Sequence, residues 1–215
     1  MKVIGVNGSP RKNWNTATLL QKALEGSAAE GAETELIHLY DLQYRGCVSC
    51  FACKRKGGHH GVCAMKDGLT PVLEKLRNAD VVIFGSPIYF MNLSSGMSAC
   101  LERFFYPGTI YSDEIPKVFS KKIRSGFLYT MNITEDQVKK DNLKAQWDGY
   151  ELRASVLLGA KPKVLYAYNT YQFTDYEKYE SSKFSVVDKE RQKKEQFPMD
   201  CEQAFRLGAE LTRLL

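Results

Sequence analysis

Two groups of residues in this 215-residue chain could do chemistry. The first is the polar run N-G-S-P-R-K-N-W-N-T at 7–16, which offers Ser9, Arg11, Asn13, Asn15 and Thr16. It separates an apolar, β-branched segment, MKVIGV, from a segment with helical spacing, ATLLQKALEGSAAEGA. Hydroxyls, amides and one guanidinium at a helix N-terminus suit a phosphate. The first amides of a helix lack intrahelical partners, and its dipole favours an anion there. The run is neither G-x-G-x-x-G nor G-x-x-x-x-G-K-[ST], which disfavours dinucleotides and nucleoside triphosphates. A terminal phosphate monoester fits better. The plainer alternative is that these side chains only cap the helix.

The second group is Cys47, Cys50, Cys53 and Cys63, spaced C-x2-C-x2-C-x9-C. Cysteines two residues apart can aim several thiolates at one centre, as iron–sulfur clusters and zinc require. His59 and His60 lie between the third and fourth cysteines and are alternative zinc ligands. Three readings stay open: a cluster, zinc, or free redox-active thiols. Clustered cysteines in an intracellular protein favour these over structural disulfides. Cys100 and Cys201 fall on apolar helix faces and are expected to be packing residues.

The elements that must position these groups follow from periodicity. Apolar runs at 2–6, 80–84, 123–130 and 163–168 predict buried parallel strands, and the more polar 34–39 predicts an edge strand. Between them lie helical stretches: 16–29, one capped by Thr70 with Pro71 at its first position, a stripe of Met97, Leu101, Phe104 and Phe105, and a final helix through Ala204, Leu207, Gly208, Leu211 and Leu215. Thr134 and Gln137 read as a capping box before a helix to about residue 157. Alternation of strand and helix means right-handed crossovers and an α/β doubly wound parallel sheet of five strands, order 2-1-3-4-5. One domain over 1–215 is expected, with insertions at about 41–68, 106–120 and 169–197.

Gly-Ser-Pro occurs at 8–10 and again at 85–87, each time after a strand. In the order 2-1-3-4-5 those strands are neighbours, and their carboxyl ends flank the switch point where open α/β sheets bind ligands. The second loop carries Pro87, Ile88, Tyr89, Phe90 and Met91, a wall suited to a flat ring system. A third loop, Tyr129–Asn132, closes the other side. Phosphate loop, apolar wall and third lip together describe a site for FMN.

Composition narrows the classes. The formal charge is +5, and the basic residues are spread along the chain. The densest run, DKERQKKEQ at 188–196, mixes signs as a solvated helix face does. No basic stripe or recognisable module argues for nucleic acid. No segment approaches the ~20 apolar residues of a membrane span, and no signal peptide is evident. A cytoplasmic protein is expected. The aromatic-rich stretch 166–184 suggests apolar surface available for assembly.

The motifs GSPRKNWNT at 8–16 and GSPIYF at 85–90 resemble those of the NAD(P)H-dependent FMN reductase-like flavoproteins of the flavodoxin-like superfamily. The resemblance covers residues 1 to about 170. It implies that Ser9, Arg11, Asn15 and Thr16 hold the FMN phosphate. It further implies that Pro87, Ile88, Tyr89 and Phe90 meet the isoalloxazine, and that Thr130, Met131 and Asn132 complete the pocket. The cysteine segment is similar to that of the iron–sulfur flavoprotein branch, which implies a [4Fe–4S] cluster on Cys47, Cys50, Cys53 and Cys63. The implied activity is hydride transfer from NAD(P)H through FMN to a small acceptor or a partner protein, in a homo-oligomer (dimer or tetramer). An electron carrier without its own NAD(P)H site, and a non-catalytic flavin or metal sensor, are the competing readings. Tyr89, Tyr129 and Tyr168 are possible proton donors, but ordinary packing accounts for any one of them.

Overall fold

A computed structural model describes residues 1–57, 60–113, 119 and 121–213. His59 and Leu215, and part of the expected insertion at 106–120, lie outside the described residues. The element order is β1 (Lys2–Asn7), α1 (Asn15–Ala29), β2 (Glu33–His38), α2 (Thr70–Asn78), β3 (Val81–Tyr89), β4 (Asn92–Leu93) and α3 (Ser95–Phe105). There follow β5 (Arg124–Thr130), α4 (Glu135–Lys140), α5 (Lys144–Leu158), β6 (Lys163–Ala167), α6 (Val186–Arg191) and α7 (Phe197–Arg213).

The parallel strands run β2-β1-β3-β5-β6, with β4 added antiparallel to the end of β3. Leaving out the two-residue β4, this is the expected flavodoxin-like order. Alternate residues of each strand feed two cores. Val3, Val81, Ile83, Leu128 and Leu165 pack under α1 and α7. Ile4, Val6, Val82, Phe84, Phe127 and Tyr129 pack under α2, α3 and α5. Burial on both faces explains why these strands read as unbroken apolar runs. On the first face α1 and α7 touch backbone to backbone. A Cβ on Gly26 would stand 1.9 Å from the Phe205 carbonyl oxygen, and one on Gly208 would stand 1.8 Å from that of Ala23.

Four expectations need correction. The second Gly-Ser-Pro is not a turn after a strand. It continues β3, because β5 pairs with it as far as Pro87–Thr130. The turn comes later, at Phe90 and Met91. Both have positive φ (49° and 63°), as a two-residue hairpin to β4 demands. The helix expected from Thr134 to about 157 is two helices. Asn142, at φ 50°, breaks it between α4 and α5. Thr134 does cap α4 by accepting from the Gln137 amide, but the Gln137 side chain turns to Asp141, so the capping box is half made. Thr70 lies inside α2 rather than capping it, and its hydroxyl donates to the Met65 carbonyl.

The stretch 166–184 is less exposed than its composition suggests. Phe173 stacks on Tyr179 with ring centroids 4.1 Å apart, and Tyr171 and Phe173 both meet the buried Tyr176 edge-on.

Candidate functional site

The carboxyl ends of β1, β3, β5 and β6 surround one cleft of about 140 Å³. Ser9, Arg11, Asn15, Thr16, Pro87, Ile88, Tyr89, Thr130, Met131 and Asn132 all line it. Of the residues expected there only Phe90 does not: it is fully exposed at the hairpin tip. The same two-residue turn that reverses the chain points Phe90 away from the sheet.

Local bonds set the shape of the first loop. The Asn7 side-chain oxygen accepts from the Ser9 amide at 3.0 Å, and Ser9 Oγ accepts from the Arg11 amide at 3.1 Å. The Gly8 amide donates to the Gly85 carbonyl, and Ser94 Oγ donates to the Gly8 carbonyl at 2.6 Å while capping α3. A Cβ on Gly8 would come within 2.8 Å of Met97, so only glycine lets the loop lie this close to α3. Thr16 Oγ1 and Thr130 Oγ1 are 2.7 Å apart and buried, tying the first loop to the third lip. Burial raises the Tyr89 phenol pKa above its ordinary value, with Tyr40 adding to the shift.

Four lining residues escaped the sequence reading: Trp14, Thr170, Tyr171 and Gln172. The last three follow β6, the next parallel strand whose carboxyl end reaches this edge, so the switch-point rule could have found them. They cross the first loop as a strap. Arg11 Nη1 donates to the Gln172 carbonyl at 2.7 Å. Trp14 Nε1 and Asn15 Nδ2 donate to the Tyr171 carbonyl at 3.0 and 2.8 Å. The Arg11 guanidinium also lies 3.7 Å above the Trp14 ring. Three donors suited to a phosphate therefore face backbone carbonyls of the strap. The cleft is also smaller than the ~300–1,000 Å³ common for ligand pockets. The donor set fits a phosphate monoester and the walls fit a planar ring, with the strap as the element that must give way.

Lys189 breaks the reading of 188–196 as a solvated face. It is 1% exposed and bonds to Asn132 at the third lip.

The four cysteines line a second, much smaller cavity of about 20 Å³, room for about one water. They share it with Glu102, Arg103 and Tyr106 from α3 and the turn after it. Ser49 and Phe51 between them take left-handed conformations, φ 52° and 53°, which curl the segment around the thiols. Arg103 anchors it. Its buried guanidinium pairs with Asp67 at 2.5 Å and donates to the Arg45 carbonyl at 3.0 Å. Burial raises the Cys53 thiol pKa. Among the described residues no three His, Cys, Asp or Glu stand in a metal-holding arrangement, and His60 does not line the cavity. The donor chemistry suits a cluster, and the thiols would have to turn toward a common centre to hold one. The two cavities share no lining residue. Cys100 is buried as expected, which pushes its thiol to about 12. Cys201 is only half-buried, beside Lys22 and Phe205.

Over 103 residues the chain is 41% identical to an iron–sulfur flavoprotein of Methanocaldococcus jannaschii, a match covering 48% of this chain and 51% of that protein. The chain spans about half the length of the curated relatives it matches. Among solved structures, an NAD(P)H:quinone oxidoreductase from Methanothermobacter marburgensis superposes with a TM-score of 0.73, at 14% identity and 98% coverage of both chains. An FMN-dependent NADH-azoreductase from Bacillus anthracis in complex with FMN gives 0.64, at 12% identity, covering 97% of this chain and all of that one. At these identities the structures establish a shared fold. The family model for NADPH-dependent FMN reductase matches residues 1–130, more than half of the sequence, and the chain belongs to that family.

Proposed function

We propose that this protein is an FMN-dependent oxidoreductase that takes hydride from NAD(P)H and passes electrons to a small acceptor or a partner protein. The observation that carries the reading is the convergence of Ser9, Arg11, Asn15 and Thr16 with Pro87, Ile88, Tyr89, Thr130, Met131 and Asn132 on one cleft at the switch point. Family membership and the FMN named in the azoreductase complex support it. When bound, FMN supplies the hydride and electron chemistry. The chain's own residues bind and orient. Ser9, Thr16 and the first amides of α1 take the phosphate, with Arg11 and Asn15 added once the strap releases them. Pro87, Ile88 and Met131 exclude water from the ring, while Thr130 and Asn132 offer polar groups to its edge. The Tyr89 phenol stays protonated at neutral pH, since burial only raises its pKa.

A [4Fe–4S] cluster on Cys47, Cys50, Cys53 and Cys63 is part of the proposal. Their shared cavity supports it, as does the relative's name. Electron delivery to a partner protein without an NAD(P)H site of its own is the second reading favoured by that cavity. We further place the protein in the cytoplasm, consistent with the absence, among the described residues, of any helix long and apolar enough to cross a membrane. Assembly as a dimer or tetramer is supported by Ala145, Gly149, Leu152 and Val156, an exposed small and apolar stripe along α5.

The test is a visible spectrum of anaerobically purified protein, with and without added FMN, followed by NADPH. Flavin bands that bleach on adding NADPH are expected. Failure to retain or bind FMN overturns the reading, and bound flavin that NADPH leaves unbleached selects the electron-carrier alternative.

A further inference from the structure

Lys189 is a buried lysine with no carboxylate partner among the described residues. Its Nζ donates to the Asn132 carbonyl at 2.8 Å, to Asn132 Oδ1 at 2.6 Å and to the Thr170 carbonyl at 3.4 Å. Asn132 and Thr170 both line the cleft, on neighbouring segments that follow the paired strands β5 and β6. Burying an ammonium without a counter-ion is costly, so each carbonyl dipole around it counts. On the strap, three successive carbonyls are taken by side chains from elsewhere in the chain. Thr170 is held by Lys189, Tyr171 by Trp14 and Asn15, and Gln172 by Arg11. The strap is thus gripped from behind by one cation and from the front by the first loop.

We propose that Lys189 is a positioning residue that clamps these two segments of the cleft from behind, and that its charge governs how tightly the strap retains a phosphate-bearing flavin. This rests on the FMN reading above. Asn132 and Thr170 stand between the ammonium and the cleft, so Lys189 acts through them.

Burial brings the lysine down to about 8. The ammonium is therefore charged at neutral pH and loses its proton as pH rises through about 8, and with it the charge-assisted part of its three bonds. The surrounding ionisable groups are otherwise engaged. Asp188 pairs with Arg191, Glu190 with Lys194, and Glu135 on α4 with Lys139. Lys193 lies over the Tyr171 ring, and Arg11 over that of Trp14. The Tyr89 and Tyr171 phenols are raised above their ordinary value by burial, which moves them out of this window. The second ionisation of a phosphate monoester, near about 6, lies below it.

The test is the FMN dissociation rate between pH 6.5 and 9.5 in the unmodified protein, Lys189→Met and Lys189→Arg. The unmodified protein should release FMN about ten-fold faster above pH 8 than at pH 7. Lys189→Met should be fast and flat across the range, and Lys189→Arg slow and flat. Hydrogen exchange at the Asn169 and Thr170 amides, without FMN, provides a second readout. These amides donate to the Ile133 and Met131 carbonyls and should lose protection in Lys189→Met. Rates that do not change with pH in the unmodified protein, or unchanged exchange in a folded Lys189→Met, overturn the proposal. If Lys189→Met does not fold, the pH profile of the unmodified protein against Lys189→Arg decides. If the unmodified protein does not bind FMN, the function reading fails, and the exchange experiment still judges the clamp.

Discussion

Thr16 and Thr130 share a hydrogen bond of 2.7 Å although 114 residues separate them. Both are buried where the first loop meets the third lip. Thr16→Val or Thr130→Val strands the other hydroxyl and should cost about 1–3 kcal/mol. The double variant should recover much of that loss, because no donor is orphaned, while FMN binds about ten-fold more weakly. Thermal melts and FMN titrations of the three variants check this. Losses that simply add would show that the hydroxyls do not act as a pair.

Tyr89 and Phe90 are adjacent in sequence but part at the hairpin. Tyr89→Ala should weaken FMN binding, since Tyr89 lines the cleft. Phe90→Ala, at a fully exposed tip, should leave FMN affinity and stability within about 0.5 kcal/mol of the parent. Equal losses of FMN affinity in both would put Phe90 back in the site.

The Arg103–Asp67 pair holds the cysteine segment against α3. Arg103→Met leaves Asp67 without its cation and should destabilise by about 3 kcal/mol. For Asp67, burial raises the pKa, but the Arg103 hydrogen bond and charge with two backbone amides outweigh it, so the net shift is downward. A depressed carboxylate contributes stability above its unfolded value of about 4, lost as pH falls through the lower folded value. The stability gap between the parent and Arg103→Met should therefore narrow as pH falls below about 4, because acid removes from the parent what the variant already lacks. Unfolding curves at pH 7 and pH 3 measure it.

The cysteines are testable without flavin. After anaerobic reconstitution, iron and sulfide should approach about four each per chain, and Cys50→Ala should lose most of both. Fewer than about two irons in the unmodified protein would make the segment a thiol-bearing loop instead.

Where α1 and α7 cross, Gly208→Ala puts a methyl group 1.8 Å from the Ala23 carbonyl oxygen. Backbone cannot move aside cheaply, so a loss of at least about 3 kcal/mol is expected. Gly149→Ala, on the α5 face proposed for assembly, meets no atom of its own chain within 4 Å and should be neutral or stabilising for the monomer in dilute solution. Melting temperatures of the two variants distinguish crowding from a general effect of removing glycine.

The sequence by itself determined the sheet, its strand order and the edge at which the cleft lies. Buried parallel strands leave continuous apolar runs, and their carboxyl ends follow from chain direction alone. Of the eleven residues it named for the proposed site, ten line one cleft, because they lie on the segments at and after strand ends. The tertiary structure decided what depends on partners far along the chain. Ladder pairing with β5 carried β3 through Gly85-Ser86-Pro87 and moved the turn to Phe90 and Met91. Asn142 split one amphipathic pattern into two helices by a left-handed residue that periodicity does not register. The strap on the first loop rests on bonds spanning 156 to 161 residues. Lys189 sits in a run of mixed charge whose composition says solvent, yet packing against the lips buries it. A side chain's neighbours in sequence fix its local conformation, and only the closed fold fixes whether its charge meets water or carbonyl oxygens.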